Sequence, residues 1–163
     1  MKKLIYTLLI IIALTSNSFS AGTSGDNDSS SKVSDFTKAK NLVKAAKKYE
    51  KKGKIEKAQK RYAKAQKLLL KSNKKKPLQA DTLNYLGFTT RKLGDYEKGE
   101  EFYLQGLQIE PNHNGINEYL GELYIVTNRM DLAKERLEVL KSCDCKEYKQ
   151  LKEIIEGTKK SKY

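Results

Sequence analysis

The chain has 163 residues and a formal net charge of +13 at pH 7, with 33 Lys and Arg against 20 Asp and Glu. This length supports one domain, and the presence of a single His excludes a metal site built from several histidines. The charge is unevenly distributed. Residues 38–76 hold 17 basic residues against two acidic ones, whereas residues 77–163 hold 13 against 15. The sequence therefore predicts a strongly basic N-terminal third and a nearly neutral remainder.

The first 20 residues have the three-part pattern of a secretory signal peptide. A positive start precedes an apolar run over residues 4–14, and small residues including Ser18 and Ser20 follow. The apolar run is well short of the roughly 20 residues that span a bilayer as a helix. We therefore predict cleavage after Ser20, at the end of residues 1–20, and a periplasmic or secreted location. An uncleaved N-terminal anchor is the alternative, while no Cys lies near the cleavage site to carry a bacterial lipid anchor.

Residues 21–35 are rich in Gly, Ser, Thr, Asn and Asp and are predicted to form a flexible linker, because they cannot bury a core. Two basic helices are predicted over residues 39–72. The first carries one stripe of lysines at steps of three or four residues: Lys40, Lys44, Lys47 and Lys51. The second continues with Lys54, Lys57, Lys60, Arg61, Lys64, Lys67 and Lys71.

This basic region has two interpretations. It is either a surface that attracts an anionic partner, such as an acidic protein or anionic lipid, or an ordinary solvated pair of helices. The connection that follows, residues 73–79, is seven residues longer than a simple repeat requires, and Pro77 is expected to break or start a helix there.

An internal repeat spans the centre of the chain. The tripeptide Tyr-Leu-Gly at residues 85–87 recurs at residues 119–121, and a fainter copy of the surrounding unit lies upstream. Each unit is predicted to be a helix, a tight turn and a second helix. In the middle unit the turn is marked by Gly94, which can adopt a positive φ, and by Asp95, which can cap the next helix.

The middle unit places three glycines inside its predicted helices, at Gly87, Gly99 and Gly106. Glycine in a helix costs about 1 kcal/mol relative to alanine, so three such residues indicate a packing requirement. Small side chains at these positions would let neighbouring helices approach closely. Pro111 is then expected to end the second helix of the unit.

The end of the chain predicts one more helix. Residues 146–157 carry apolar residues at helical spacing, namely Tyr148, Leu151, Ile154 and Ile155. A helix in this place would cap the last apolar face of a stack of repeats. Residues 158–163 are predicted to be a basic tail.

The repeated unit resembles the tetratricopeptide repeat (TPR), a 34-residue unit with Leu-Gly in its first helix, small residues in its second and a closing Pro. Residues 80–113 carry the resemblance best. Residues 114–147 depart from it at Asn117 and Cys145, and residues 39–72 lack the Leu-Gly pair. The resemblance, to a small exported bacterial type, implies an all-α fold. We expect a right-handed TPR-type α-solenoid of about three helix-turn-helix units plus a C-terminal capping helix, over residues 36–157.

The resemblance also implies a concave groove that is lined by the first helix of each unit and holds a partner peptide or helix. The matching positions are Lys40, Lys44, Lys47, Asn84, Phe88, Arg91, Glu118 and Glu122. Such a groove would be basic at its N-terminal end and acidic at its C-terminal end, which favours a ligand with ordered, complementary charge. The carboxylate-clamp pattern of chaperone-binding TPRs is not recognisable, so capture of an acidic C-terminal motif is not expected.

The two cysteines, Cys143 and Cys145, lie between the third unit and the predicted capping helix. In an exported protein, paired cysteines usually form a disulfide, and we predict a local one that joins these two residues. A soft-metal site is an alternative because two thiolates suit an ion such as Cu(I), although no third ligand is visible. Reduced or intermolecularly paired thiols are the remaining interpretation.

The sequence indicates a function without catalysis. His113 lies in a turn, where a surface role is expected, and no catalytic triad order, phosphate-binding loop or dinucleotide motif is present. By resemblance, the chain is expected to be a non-enzymatic protein–protein interaction module or adaptor of the bacterial cell envelope. Its partner would be another protein or peptide, with an acidic one favoured. No cofactor is expected, and export would separate the protein from nucleic acid. The alternatives are a metal- or redox-responsive protein that uses the Cys-Asp-Cys motif, and an anionic-membrane-surface binder that uses the basic third.

Overall fold

A computed structural model describes residues 33–161, and within this range the protein consists of α-helices without a strand. The helices are α1 (Asp35–Lys51), α2 (Ile55–Lys75), α3 (Ala80–Lys92), α4 (Tyr96–Ile109), α5 (Asn114–Val126), α6 (Met130–Leu140) and α7 (Lys146–Ile155). The predicted all-α class, with two helices per unit and a final helix, is confirmed. The predicted signal peptide and most of the predicted linker lie outside the described residues. Within the described range, no helix combines the length and apolar character that a membrane span requires.

Consecutive helices form three hairpins, α1–α2, α3–α4 and α5–α6, which stack because α2 packs on α3 and α4 packs on α5. Two apolar clusters fill the spaces between the layers. The first includes Val43, Tyr62, Leu69, Leu86 and Phe88, and the second includes Tyr103, Ile116, Leu120, Leu123 and Ala133. The last helix, α7, packs against α5 and α6 and buries Leu151 and Ile154. This is the nearest-neighbour order of a repeat protein.

The three hairpin turns share one backbone conformation. A residue in the left-handed conformation follows the first helix of each hairpin: Gly53 at φ 66°, Gly94 at φ 98° and Asn128 at φ 59°. Glycine and asparagine are the residues that adopt this conformation most readily. In the middle hairpin, the Asp95 side chain accepts a hydrogen bond from the backbone N–H of Lys98 at 3.0 Å and caps α4. The predicted Gly-Asp turn is confirmed.

The glycines inside the helices lie where helices approach most closely. A Cβ atom at Gly87 would lie 2.5 Å from the ring of Tyr103 in the facing helix. A Cβ atom at Gly121 would lie 2.6 Å from Leu151 of α7. Real Cβ contacts are not this short, so no side chain fits at either position without displacing a buried neighbour. The packing requirement predicted for Gly87 is therefore confirmed, as it is for Gly106, where a Cβ atom would lie 2.4 Å from Ile116.

The first connection between units is shorter than the sequence suggested. α2 continues to Lys75 and so includes the first three residues of the predicted connection, residues 73–79. Lys76 then lies outside the helical region, with φ −136° and ψ 86°. The residue before a proline disfavours the helical region, so Pro77 ends α2 through its effect on Lys76.

Asp35 links the start of α1 to the end of α2. Its carboxylate lies 2.9 Å from Nζ of Lys75 and 3.4 Å from Nζ of Lys71. The hydrogen bond from Lys75, with the positive charge of Lys71, lowers the pKa of Asp35 below its ordinary value. A carboxyl group with a depressed pKa stabilises the fold above its unfolded-state pKa, and this contribution is lost as the pH falls through the folded-state value.

We therefore expect Asp35→Asn to destabilise the protein at pH 7 and to lose this effect as the pH falls below about 4. Urea unfolding of wild type and variant across this pH range measures the difference. The matched control is Asp131→Asn, since Asp131 also lies in the first turn of a helix, α6, but its side chain is 98% exposed. A difference between wild type and Asp35→Asn that does not change with pH would contradict the role of the Lys75 contact.

Candidate functional site

The first helix of each hairpin contributes to one face of the stack. Three adjoining concavities of about 450, 420 and 400 Å³ lie on this face, and all three are lined by Lys47. We call this surface the concave groove. Its lining from α1, α3 and α5 comprises Lys40, Asn41, Val43, Lys44, Lys47, Glu50, Lys51, Asp81, Asn84, Tyr85, Phe88, Lys92, Gly115, Glu118 and Tyr119.

One edge of the concave groove is formed by lysines of α1. Lys40, Lys44, Lys47 and Lys51 line it because their spacing of three or four residues places them on one side of that helix. Three of them are exposed and Lys47 is half-buried. The N-terminal part of the concave groove therefore has the positive charge that the sequence predicted.

A neighbouring carboxylate in this part of the groove is already neutralised. Oε1 of Glu50 lies 2.7 Å from Nζ of Lys92, and its other oxygen accepts a hydrogen bond from the Tyr62 hydroxyl at 2.8 Å. These contacts join α1, α2 and α3 at one point. Because Glu50 and Lys92 compensate each other, the lysines of α1 determine the sign of the charge here.

The floor of the groove is aromatic. Phe88 and Tyr119 lie with ring centroids 5.1 Å apart, and Tyr85 lines the adjoining concavity. Lys47 spans the floor from α1 to α5: its Nζ donates a hydrogen bond to the Tyr119 hydroxyl at 3.1 Å and lies 4.2 Å from the centroid of the Phe88 ring. This distance is well within the range of a cation–π contact. Burial raises the pKa of the Tyr119 hydroxyl, which therefore stays neutral and accepts this hydrogen bond.

The other end of the concave groove is polar and lies beside α7. It is lined by Asn84, His113, Gly115, Glu118, Lys146, Glu147 and Gln150, among others. Asn84 is 7% exposed, and its Oδ1 accepts no hydrogen bond from any residue in the described range. The start of α7 thus forms a wall of the groove as well as a cap on the last hairpin.

Two of the predicted groove residues lie inside the protein. The side chains of Arg91 and Glu122 are 0% exposed, and the guanidinium of Arg91 lies 3.9 Å from the carboxylate of Glu122. Arg91 also donates a hydrogen bond to the backbone carbonyl of Tyr119 at 2.7 Å. These contacts join α3 to α5 and keep both charges away from solvent. The expectation that Arg91 and Glu122 line the open groove is therefore wrong. They form a buried ion pair between two repeats.

The remaining predicted positions lie on the groove surface or directly beneath it. Lys40, Lys44 and Lys47 form its edge, while Asn84, Phe88 and Glu118 line its concavities and are each more than 90% buried. The C-terminal end of the groove consequently carries less negative charge at its surface than the sequence predicted, because Glu122 is fully buried and Glu118 is 4% exposed. Binding of a partner at these positions remains a prediction.

Sequence reasoning missed three contributors to the groove. Tyr85 and Tyr119 were recognised as repeated residues but not as its aromatic floor, although their shared place in two units was a usable signal. The wall that α7 supplies through Glu147 and Gln150 has no local signal in the sequence. It follows from where α7 packs against α5, which is a long-range contact.

Cys143 and Cys145 lie in the connection between α6 and α7. Their sulfur atoms are 2.00 Å apart, at the distance of a disulfide. In the described residues, no group of three or more His, Cys, Asp and Glu side chains is arranged to hold a metal ion. The two cysteines do not line the concave groove, but the connection that contains them leads directly into the helix that does.

Three helical hairpins with a lined concave face define a short α-solenoid of the TPR type. Residues 80–113, which form the middle unit, match the family model described as tetratricopeptide repeat. Together with the helical repeat fold, this match confirms the predicted resemblance to tetratricopeptide-repeat proteins.

Solved structures with this fold are similar to the chain at low sequence identity. The type III secretion translocator chaperone SycD of Yersinia enterocolitica is 15% identical, with 78% of this chain and 86% of that chain covered and a TM-score of 0.53. A chain of the CopN–Scc3 complex is 17% identical, with coverage of 82% and 80% and a TM-score of 0.50. No curated protein sequence matches the chain significantly. At these identities the similarity supports the fold.

Proposed function

We propose that this protein is a non-enzymatic interaction module that binds an acidic segment of another protein in its concave groove. The observation that carries the proposal is the combination of a lysine edge on α1 with an aromatic floor formed by Tyr85, Phe88 and Tyr119. Lysines at the groove edge attract carboxylates, while apolar side chains or backbone of a ligand pack against the aromatic rings. A segment that alternates acidic and apolar residues would satisfy both surfaces.

The dimensions of the groove suit an extended peptide. Lys40 and Lys51 are separated by 11 residues of helix, or roughly 16 Å at 1.5 Å per residue. An extended strand rises about 3.3 Å per residue, so about five residues of a peptide would span this edge.

The similar structures are consistent with a binding function. One is a chaperone of type III secretion, and the other is a complex of two named proteins. The predicted signal peptide implies export from the cytoplasm. We therefore propose that the protein acts as an adaptor in the periplasm or at the outer surface of a bacterial cell. In this setting its partner would be an exported protein or an exposed segment of an envelope protein.

Charge reversal at the groove edge tests the proposal. Lys44→Glu combined with Lys51→Glu is expected to weaken partner binding by roughly 10- to 100-fold at low salt, because two attractive charges become repulsive. Lys47 is left unchanged, since its contacts with Phe88 and Tyr119 support the fold. The partner is first captured in the native cell with a photo-reactive residue at Asn41, which is exposed and lines the groove. Affinity is then measured by titration of the purified pair.

The matched control is Lys38→Glu combined with Lys52→Glu. These lysines are exposed and lie at the two ends of α1, outside the groove lining, so the variant has the same net charge as the groove variant. Selective loss of binding in the groove variant, with a weaker salt dependence, supports the proposal. Equal loss in both variants would mean that net charge alone drives association, and unchanged binding would place the partner on another surface.

A further inference from the structure

A second charged surface lies on α2, outside the concave groove. We call it the α2 cationic face, and its members are Lys57, Lys60, Arg61, Lys64, Lys67, Lys71, Lys74 and Lys75. At 100° per residue these side chains occupy an arc of about 140° on a helix of 21 residues, which is about 30 Å long. The buried residues of α2, including Tyr62 and Leu69, occupy the other side.

Acidic residues compensate only part of this surface. Glu56 lies 2.5 Å from Lys60, and Asp35 pairs with Lys71 and Lys75. Within the described residues, no carboxylate forms an ion pair with Lys57, Lys64, Lys67 or Lys74. α2 as a whole carries eight basic residues and one acidic residue, a net charge of +7. Such a concentration of one sign destabilises the isolated fold through repulsion and attracts an anionic surface.

The α2 cationic face and the concave groove are on different sides of the first hairpin. The groove edge belongs to α1, and no residue of α2 lines any of the three concavities of the groove. The buried layer of Val43, Tyr62 and Leu69 separates the two surfaces. A flat anionic surface could therefore contact α2 while the groove remains open.

Beside the cationic face, between α1 and α2, is a shallow depression of about 440 Å³. Leu42 and Tyr49 are half-buried within it, and Lys57, Lys60, Arg61 and Lys64 surround them. The guanidinium of Arg61 lies 5.7 Å from the centroid of the Tyr49 ring. Leu70, which is 47% exposed, lies at another edge of the face. Apolar and aromatic groups next to cations match the interface of a lipid bilayer, where anionic headgroups adjoin hydrocarbon.

We propose that the α2 cationic face binds the surface of an anionic lipid bilayer and holds the protein there with its groove open. Seven of the eight basic residues are lysines, which act as point charges toward many headgroups and need no fixed geometry. Each basic residue close to an anionic bilayer strengthens binding by a factor of about five, and these factors multiply along the face. The inference is independent of the partner that the concave groove binds.

The test compares vesicle binding of the full chain and two quadruple variants. Lys57→Gln, Lys64→Gln, Lys67→Gln and Lys74→Gln together neutralise the four lysines of the face that pair with no carboxylate in the described range. The matched control neutralises four exposed lysines elsewhere, at Lys141, Lys149, Lys152 and Lys160. Both variants lose four charges and keep residues 1–32, so any membrane affinity of the N-terminal segment is common to all three proteins.

Partitioning is measured by co-sedimentation with vesicles of phosphatidylglycerol and phosphatidylcholine, and with vesicles of phosphatidylcholine alone. We expect the face variant to lose roughly 100-fold or more in partitioning to the anionic vesicles at low salt, and the control variant to lose far less. Equal losses in the two variants would overturn the proposal. Binding of a DNA duplex through the same four lysines, without binding to anionic vesicles, would also overturn it.

The two proposals fail separately. If vesicle binding depends on the face but the groove variant keeps its partner, the membrane inference stands and the groove proposal fails. If the groove variant loses its partner but the face variant binds anionic vesicles as well as the wild type does, the groove proposal stands and the membrane inference fails. Circular dichroism and urea unfolding of each variant establish that α2 remains folded in every comparison.

Discussion

Replacing Glu122 with Leu is expected to lower the free energy of unfolding by about 3–5 kcal/mol. Glu122 and Arg91 are both fully buried, and they face each other across the boundary between the second and third repeats. Removing one member leaves the other charge in an apolar environment without its counterion. The cost of that isolated charge, rather than the loss of one attraction, determines the size of the effect.

The measurement is urea unfolding of the wild type, Glu122→Leu, Arg91→Met and the double variant. Because the double variant lacks both members of the ion pair, neither charge is left without the other, and we expect it to be more stable than either single variant. A double variant whose destabilisation equals the sum of the single changes would show that the two charges do not interact. In that case the large single effects would reflect packing alone.

Gly87→Leu is expected to lower the free energy of unfolding by about 3 kcal/mol, despite the gain in helix propensity. Even the Cβ atom would lie 2.5 Å from the Tyr103 ring, which is itself 0% exposed and cannot move into solvent. α3 and α4 would have to separate, and the contacts between the middle hairpin and its neighbours would loosen. Thermal unfolding together with urea unfolding measures this loss.

A second substitution distinguishes steric overlap from other effects of Gly87→Leu. Tyr103→Leu alone should destabilise the protein by removing buried aromatic contacts. Combined with Gly87→Leu, it should recover part of the stability, since a smaller side chain faces the new one. Strict additivity of the two changes would contradict the steric explanation and would indicate that the flexible backbone of Gly87 matters instead.

The sequence predicted the repeats well because local residues mark their boundaries. Gly94 with Asp95 specifies a turn, and Pro77 and Pro111 end helices within one or two residues of their positions. The glycines inside helices indicated close packing before any partner for them was known. These signals depend on backbone conformation, which a residue and its immediate neighbours largely determine.

The groove was predicted less completely because its surface depends on contacts between distant residues. Arg91 and Glu122 occupy the positions that line the groove in the family pattern, yet the packing of α3 on α5 encloses both. The wall formed by α7 depends on Leu151 fitting against Gly121, a contact across 30 residues. Neither arrangement has a local pattern that a sequence alone could display.

Lys47 also links distant repeats across the concave groove. By reaching from α1 to the Tyr119 hydroxyl of α5, it connects the first repeat directly to the third across the face where a ligand would lie. This contact joins α1 to α5 before anything binds. A peptide that enters such a surface meets a preorganised receptor, so little conformational entropy of the receptor is lost on association. Differences in affinity among its ligands should then arise mainly from the flexibility of the ligands themselves.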